Sequence, residues 1–245
     1  MIPKIIHFCW LSGDSFPIEI EKYIQTWKEK LPDYEIRKWD CSTFNIDNVP
    51  WVKEAFSAKK YAFAADYIRF YALYNYGGIY LDSDVEVLKS FDDLLNTKSF
   101  IGFEYLSVPE AAIIGAEKGL PWLKKCLDYY VGKHFDLSAE SMYPLPFIIK
   151  PILEEFCNTV LCDTGKIQMF EQITFYPYFY FSPKNYYTGK IEKSEKTYCV
   201  HHFKNSWITK KRGRIKLFLH AIFVTLFGKK LHDKLVVKRR LSIKK

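Results

Sequence analysis

Two aspartates separated by one residue are the side chains best suited to chemistry in this chain. Asp82 and Asp84 follow residues 79–81, a short apolar run with strand character. Because side chains two residues apart on an extended chain point the same way, both carboxylates can face one cation. Carboxylate oxygens suit hard divalent cations such as Mg²⁺ or Mn²⁺, which are commonly shared with substrate phosphates. The pair therefore predicts a metal site.

A carboxylate and a guanidinium precede this pair. Asp66 and Arg69 are three residues apart in segment 61–76, whose alanines and leucine favour a helix, so they lie on one helix face. Gly77 and Gly78 end that helix, because glycine accepts backbone conformations that other residues resist. An arginine at this place suits a phosphate or a ribose hydroxyl. The alternative, that Asp-Ser-Asp only ends a strand and caps a turn, is outweighed by this context.

Alternating elements must position these groups. Residues 2–10 predict a first strand, residues 18–30 an amphipathic helix, and residues 34–39 a second strand. This rhythm, which continues to residue 88, predicts an α/β fold with a mostly parallel central sheet. Trp10 stands at the carboxyl end of the first strand, where open α/β sheets bind nucleotides. The alternative is that Trp10 packs in the hydrophobic core.

Late in the chain, residues 178–183 have a strand-like pattern and are predicted to form a strand.

Three stretches in order resemble glycosyltransferase family thirty-two. They are residues 2–10 (Ile-Pro-Lys-Ile-Ile-His-Phe-x-Trp), residues 65–85 with Asp-x-x-Arg, Tyr-Gly-Gly-Ile-Tyr-Leu and Asp-Ser-Asp, and residues 201–207 (His-His-x-x-x-Ser-Trp). That family holds yeast-type initiating mannosyltransferases and bacterial capsular and lipopolysaccharide sugar transferases, and it shares a core with clostridial toxin glucosyltransferases. The resemblance implies a GT-A-like single Rossmann-type domain that binds a nucleotide-sugar.

The resemblance also implies roles for the first site residues. Trp10 would stack on the nucleotide base, and Asp82 would contact the ribose and the cation. Asp84 would hold the cation directly. Asp66 and Arg69 would form hydrogen bonds with hydroxyls of the transferred sugar, and Arg69 would also lie near the glycosidic oxygen. Catalysis is therefore expected from the two aspartates of the Asp-Ser-Asp motif together with Asp66 and Arg69.

The late stretch supplies the remaining donor and metal residues. In the toxin relatives a metal ligand falls five residues before the tryptophan that matches Trp207, which points to His202. Asn205 is expected as a secondary ligand or phosphate contact, and Ser206 with Trp207 would bind the donor, the indole covering the phosphates as a lid. The toxins use a carboxylate at that position, and a plain pair of histidines at a strand end is the alternative. Family members often carry asparagine where Glu110 stands, so no role is assigned to it.

The charge of the chain is concentrated at its end. The 245 residues, 49% of them hydrophobic, suffice for one domain, and we place it at residues 1–209. Residues 210–245 hold nine lysines and four arginines against one aspartate, whereas the whole chain carries only +8. Their apolar run is shorter than the roughly 20 residues that span a bilayer. A basic amphipathic helical tail on an anionic membrane surface is predicted; a packed C-terminal helix or a nucleic-acid tail are the alternatives.

The cysteines and the first residues of the chain predict where the protein is located. Six cysteines without a Cys-x-x-Cys pair, and no apolar leader after Met1, predict a cytoplasmic protein associated peripherally with the inner face of the cell membrane. The leading hypothesis is a retaining hexosyltransferase that uses Mn²⁺ or Mg²⁺ and a nucleotide-sugar, UDP preferred over GDP. It would serve a glycan or lipid-linked acceptor in surface polysaccharide synthesis, and no nucleic-acid partner is expected.

Two other functions are compatible with the Asp-Ser-Asp motif. A membrane-associated, non-catalytic binding protein would use the aspartates only to hold Ca²⁺. A phosphatase that places Asp-x-Asp after an apolar strand is less favoured, because that class expects threonine or valine two residues after the second aspartate, where this chain has Glu86.

Overall fold

The structure is a computed structural model that describes residues 1–104, 107–138, 141–186 and 188–204. Asn205, Ser206, Trp207 and the predicted tail, residues 210–245, lie outside these ranges. The helices are α1 (Ile18–Lys30), α2 (Pro50–Ser57), α3 (Tyr61–Tyr76), α4 (Pro121–Asp128), α5 (Leu145–Cys157) and α6 (Tyr178–Phe181). The strands are β1 (Ile5–Cys9), β2 (Glu35–Trp39), β3 (Gly78–Leu81), β4 (Val85–Val87), β5 (Ser99–Glu104), β6 (Val108–Ala116), β7 (Gln168–Met169), β8 (Thr174–Tyr176) and β9 (Cys199–His201).

A seven-stranded sheet in the order β2-β1-β3-β6-β5-β8-β7 forms the centre of the described chain. The pairs β1/β2, β1/β3 and β5/β8 are parallel, whereas β6 runs antiparallel to both β3 and β5, and β7 runs antiparallel to β8. Five of the seven strands therefore point in one direction. The predicted α/β class and mostly parallel sheet are confirmed, with β6 as the reversed strand at the centre.

The central strand β3 is buried on both faces. Ile79 and Leu81 pack into one hydrophobic cluster with α1, whereas Tyr80 packs into the other with α3. This alternation is the period of two expected for a strand. A strand covered on both sides must be apolar throughout, which is why residues 79–81 contain no charge before the two aspartates.

The connection from α3 into β3 depends on glycine. Gly77 and Gly78 have φ angles of +67° and +105°, in the region that side chains avoid. A Cβ atom on Gly78 would lie 2.6 Å from the carbonyl oxygen of Ile5, on the neighbouring strand. The close contact between β1 and β3 therefore requires glycine at position 78, in addition to the predicted role of the two glycines in ending the helix.

A two-stranded ribbon lies beside the main sheet. Strand β4 pairs antiparallel with β9, and Val85 stands opposite His201. The pairing returns residues near 200 to the end of β3, more than a hundred residues away along the chain. No described helix is long and apolar enough to cross a membrane.

The strand-like prediction for residues 178–183 is wrong, because the structure has the single helical turn α6 there. Pro177 precedes this turn with φ −55°, within the range that the proline ring imposes, and the amide of Ser182 donates to the carbonyl of Tyr178 at 2.7 Å. Phe181 then stacks on Phe100 of the sheet, with ring centroids 5.6 Å apart. Tertiary packing of the aromatic rings outweighs the local apolar pattern.

Candidate active site

The end of β3 turns sharply so that both aspartates are held by the backbone of distant segments. The amide of Asp82 donates to the carbonyl of Ala112 on β6 at 2.9 Å, and the amide of Val85 donates to the carbonyl of Asp82 at 3.0 Å. The carboxylate of Asp84 accepts the backbone N–H of Lys204 at 2.7 Å and is largely buried. The motif is thus fixed in a turn rather than projecting freely.

Three ligand atoms converge at this turn. Oxygens of Asp82 and Asp84 and a ring nitrogen of His201 all lie within 4.8 Å of one another. His201 Nε2 is 3.6 Å from Asp84 Oδ1, because the β4–β9 register sets His201 across from Val85. Two carboxylates and one imidazole form a donor set that suits a divalent cation such as Mn²⁺. The residues therefore fit the metal that the sequence predicts.

His202, the ligand chosen from the sequence, has other partners. Its Nε2 lies 2.9 Å from Glu86 Oε2, and its ring stacks on Tyr23 of α1 with centroids 4.4 Å apart and planes at 15°. Neighbouring residues of a strand point to opposite faces, so His202 shares the Glu86 side of the ribbon while His201 faces the aspartates. The structure therefore brings His201, not His202, to the metal group.

Glu110 is the site residue that sequence reasoning missed. It lies within β6 at 1% exposure, and its carboxylate oxygens are 3.2 and 3.3 Å from His201 Nδ1. Burial alone lowers the pKa of His201, but the carboxylates of Glu110 and Asp84 outweigh burial and raise that pKa to about 10. The available signal was a single carboxylate inside the apolar stretch 108–116, since buried carboxylates need partners.

Asp66 and Arg69 meet as expected on one face of α3. Arg69 Nη2 donates to Asp66 Oδ1 at 3.0 Å and lies 3.4 Å from Asp82 Oδ1, while Nη1 donates to the carbonyl of Ala111 at 2.5 Å. The guanidinium also lies over the ring of Tyr80, 4.6 Å from its centroid. Arg69 thus links the helix pair to the Asp-Ser-Asp motif.

Burial affects both members of the Asp66–Arg69 pair. Burial raises the pKa of Asp66 to about 7, although the Arg69 charge opposes the shift. Arg69 Nε is buried and has no hydrogen-bond partner within the part of the chain that the structure describes. A buried donor left unpaired is costly in a folded protein, so such atoms frequently mark functional sites.

One cavity joins these groups. It has a volume of about 680 Å³, and its lining includes Trp10, Asp66, Arg69, Asp82, Asp84 and His201. This volume is within the range of small-molecule sites. Trp10 is partly buried at the rim, where its Nε1 donates to the carbonyl of Asp14 at 2.7 Å and its ring meets Phe16 edge-on at 4.8 Å. The structure therefore assembles five predicted site residues around one space; Asn205, Ser206 and Trp207 are outside the described residues.

Comparison with known proteins gives this geometry a family context. Residues 17–101 match the family described as the glycosyltransferase sugar-binding region containing a DXD motif. The chain is 33% identical over 129 residues to inositol phosphoceramide mannosyltransferase 3 of Schizosaccharomyces pombe, covering 50% of this chain and 35% of that protein. It is also 33% identical over 109 residues to the initiation-specific alpha-1,6-mannosyltransferase of Candida albicans, covering 40% of this chain and 28% of that protein.

A solved structure shares the fold. The PaToxG glycosyltransferase superposes with a TM-score of 0.53 at 21% identity, covering 64% of this chain and 70% of that chain. The chain matches about a third of the length of the curated relatives, so the likeness to them concerns the segment that carries the motif. Asp66, Arg69, Asp82 and Asp84 all lie within residues 17–101, the segment that matches the glycosyltransferase sugar-binding family with its DXD motif.

Proposed function

We propose that this protein is a metal-dependent, retaining glycosyltransferase that moves a hexose from a nucleotide-sugar to an acceptor. The observation that carries the proposal is the convergence of Asp82, Asp84 and His201 in the cavity that also holds the Asp66–Arg69 pair. Of these five residues, only His201 lies outside residues 17–101, the segment that matches the DXD sugar-binding family. The preferred donor is a UDP-sugar, with GDP-sugars as the competitors.

The donor would lie along the cavity from the rim to the buried pair. The partly buried indole of Trp10 would offer an aromatic surface for the base, and Asp82 would accept hydrogen bonds from ribose hydroxyls. Arg69 and Asp66 would hold hydroxyls of the transferred sugar, because a guanidinium donates and a carboxyl group accepts or donates according to its protonation. The pKa of Asp66 near 7 allows either state at neutral pH.

Departure of the nucleoside diphosphate is the step that needs charge stabilisation. A bound divalent cation, Mn²⁺ or Mg²⁺, supplies that neutralisation. Asp82, Asp84 and His201 would hold the cation, while Lys204 fixes the Asp84 carboxylate through its backbone N–H. For a retaining enzyme we assign no general base, since the leaving phosphate can itself accept the acceptor proton.

The acceptor is proposed to be a glycan or a lipid-linked sugar in surface polysaccharide synthesis. Part of the cavity wall is apolar and includes Val108, Pro146, Phe147 and Phe203, which suits the flat apolar face of a sugar or a lipid-linked group. The fission-yeast relative is named an inositol phosphoceramide mannosyltransferase. We further propose a cytoplasmic location at the inner face of the membrane, through the basic tail that lies outside the described residues.

The test is nucleotide release from a panel of UDP- and GDP-sugars, with and without Mn²⁺. The full chain is compared with Asp84→Asn and with the matched control Asp128→Asn, whose carboxylate is exposed on α4 outside the cavity. We expect Mn²⁺-dependent release that falls by about 100-fold or more in Asp84→Asn, the range seen when one charge-stabilising group is removed. The control should match the natural chain.

Calorimetry of UDP or GDP with Mn²⁺ accompanies the kinetics. Binding without release would identify an enzyme that is silent until its acceptor is added, and Asp84→Asn should then abolish the binding. No nucleotide binding at all, in the presence of Mn²⁺, would contradict the transferase and favour the cation-binding protein without catalysis.

A further inference from the structure

We propose that Glu110 is a positioning residue that orients His201 as the third ligand of the cation. The inference rests on the proposed metal-dependent function, because it concerns how the imidazole is presented to the metal. The observations that support it are geometric.

The Glu110 carboxylate is held on several sides. One oxygen, Oε1, accepts the backbone N–H of Ala112 at 2.9 Å, and the other, Oε2, accepts the hydroxyl of Ser182. The residue is 1% exposed near the start of β6, where the strand is otherwise buried and apolar. These two bonds come from β6 itself and from the end of α6. They hold the carboxylate in place independently of its contact with the imidazole.

His201 completes the set from a third element, β9. Its Nδ1 lies 3.2 and 3.3 Å from the two oxygens of Glu110, whereas its Nε2 lies on the side of Asp84 at 3.6 Å. A bound cation would replace the proton on Nε2, while Nδ1 keeps its hydrogen and donates a hydrogen bond to the Glu110 carboxylate. The bond to Glu110 therefore selects the nitrogen that faces the aspartates.

The ring is also restrained against rotation. Phe203 packs against the imidazole, with centroids 4.0 Å apart, so the ring is held between an aromatic face and a carboxylate. Carboxylate–imidazole–metal arrangements of this kind fix ring orientation and increase ligand basicity. Glu110 contributes to metal binding through His201 and does not join the three ligand atoms itself.

The experiment measures Mn²⁺ binding by calorimetry on the full chain, without donor or acceptor. Four variants are compared: Glu110→Ala, Glu110→Gln, His201→Ala and Ser182→Ala. Loss of an outer-shell carboxylate typically weakens metal affinity about 10–100-fold, which we expect for Glu110→Ala. Glu110→Gln keeps an oxygen that accepts from Nδ1 at nearly the same volume, so its loss should be smaller. Ser182→Ala removes one of the bonds that hold the Glu110 carboxylate, so its loss of affinity should be smaller than that of Glu110→Ala but measurable.

A spectroscopic reading separates positioning from general structural damage. Pulsed electron paramagnetic resonance of bound Mn²⁺ detects the nitrogen of a coordinated imidazole. We expect this ¹⁴N coupling in the natural chain, its loss in His201→Ala, and its weakening in Glu110→Ala. Where Glu110→Ala fails to fold, Glu110→Gln carries the test, and a weakened ¹⁴N coupling in this folded variant supports the inference.

The outcomes distinguish this inference from the proposed function. If His201→Ala weakens Mn²⁺ binding but both Glu110 variants bind as tightly as the natural chain with unchanged ¹⁴N coupling, the positioning role is overturned while the metal site stands. If the natural chain binds no Mn²⁺, the metal site and the inference are both overturned.

Discussion

Two histidines in this protein, one fully buried and one largely enclosed, have opposite electrostatic characters. His7, on β1, is 0% exposed and lies among neutral partners: its Nε2 is 2.7 Å from the carbonyl of Gly77, and its Nδ1 accepts from Trp39 Nε1 at 3.1 Å. Burial lowers the pKa of His7 to about 4. His201 is similarly enclosed, with 13% of its side chain exposed, yet its pKa is raised to about 10 because it lies between Glu110 and Asp84.

The difference shows that burial alone does not assign a histidine its role. Both rings are removed from water, which disfavours the imidazolium in each case. At His7 the carbonyl and the indole satisfy a neutral ring, so the residue is a structural part of the β1–β3 junction. At His201 two carboxylates favour positive charge at the same place, which is what a cation site requires. The identity of the partners therefore separates the structural histidine from the functional one.

The largest effect is expected from removing the functional histidine. His201→Ala should lower Mn²⁺-dependent nucleotide release by about 100-fold or more, since one of three ligands is lost at the charge-stabilising site. Steady-state release with the preferred donor measures this. Unchanged nucleotide release in His201→Ala would contradict the functional role of His201 and would make it a structural residue like His7.

The second effect concerns the pH dependence of stability. Below pH 6.5 the unfolded chain protonates His7, whereas the folded chain keeps it neutral down to a pKa of about 4. Stability from this residue is therefore fully present above pH 6.5 and is lost as the pH falls toward 4, by about 3 kcal/mol in total. Urea unfolding of the natural chain and of His7→Gln between pH 7 and pH 4 measures the difference.

The difference in unfolding free energy between the natural chain and His7→Gln separates the contribution of His7 from those of other titrating groups. Burial also raises the pKa of Asp66 to about 7, which acts in the opposite direction over the same range. Because Asp66 is present in both proteins, its contribution cancels. Identical pH profiles for the natural chain and His7→Gln would contradict the neutral character assigned to His7.

A smaller effect is expected from removing the indole donor of the structural histidine. Trp39→Phe leaves His7 Nδ1 without its partner and should reduce the free energy of unfolding at pH 7 by about 1–3 kcal/mol. Trp122→Phe is the matched control, since its Nε1 bonds the hydroxyl of Ser99, which keeps a second bond to the carbonyl of Gln172. Equal losses in the two variants would show that ring volume, not the bond to His7, governs the result.

The smallest effect is expected at His202. Its bond to Glu86 and its stacking on Tyr23 keep it away from the aspartates, so His202→Ala should change Mn²⁺ affinity within about threefold, as for substitutions outside a site. Calorimetric titration of His202→Ala and His201→Ala with Mn²⁺, in parallel with the natural chain, tests this prediction. A loss as large as that of His201→Ala would reverse the assignment of the two neighbouring histidines.

Much of the fold was accessible from local patterns. Helix α3, the two glycines and strand β3 were predictable because propensity, backbone freedom and an apolar run all indicate the same elements over residues 61–81. The reversed strand β6 was not, since an apolar segment between β3 and β5 carries no sign of its direction. The turn α6 was mistaken for a strand because its aromatic residues have strand propensity and are redirected by packing on Phe100.

The sequence by itself determined the pair of carboxylates and the helix pair behind it. Asp82 and Asp84 share one element, and Asp66 and Arg69 share another, so the spacing along the chain places each pair on one face. Only the tertiary structure selected His201 over His202 and gave Glu110 a role. The register of β9 against β4, and the position of β6 beside β3, bring residues from 110 and 201 to the end of β3. Strand register couples segments a hundred residues apart, and a shift of one residue would exchange the two histidines.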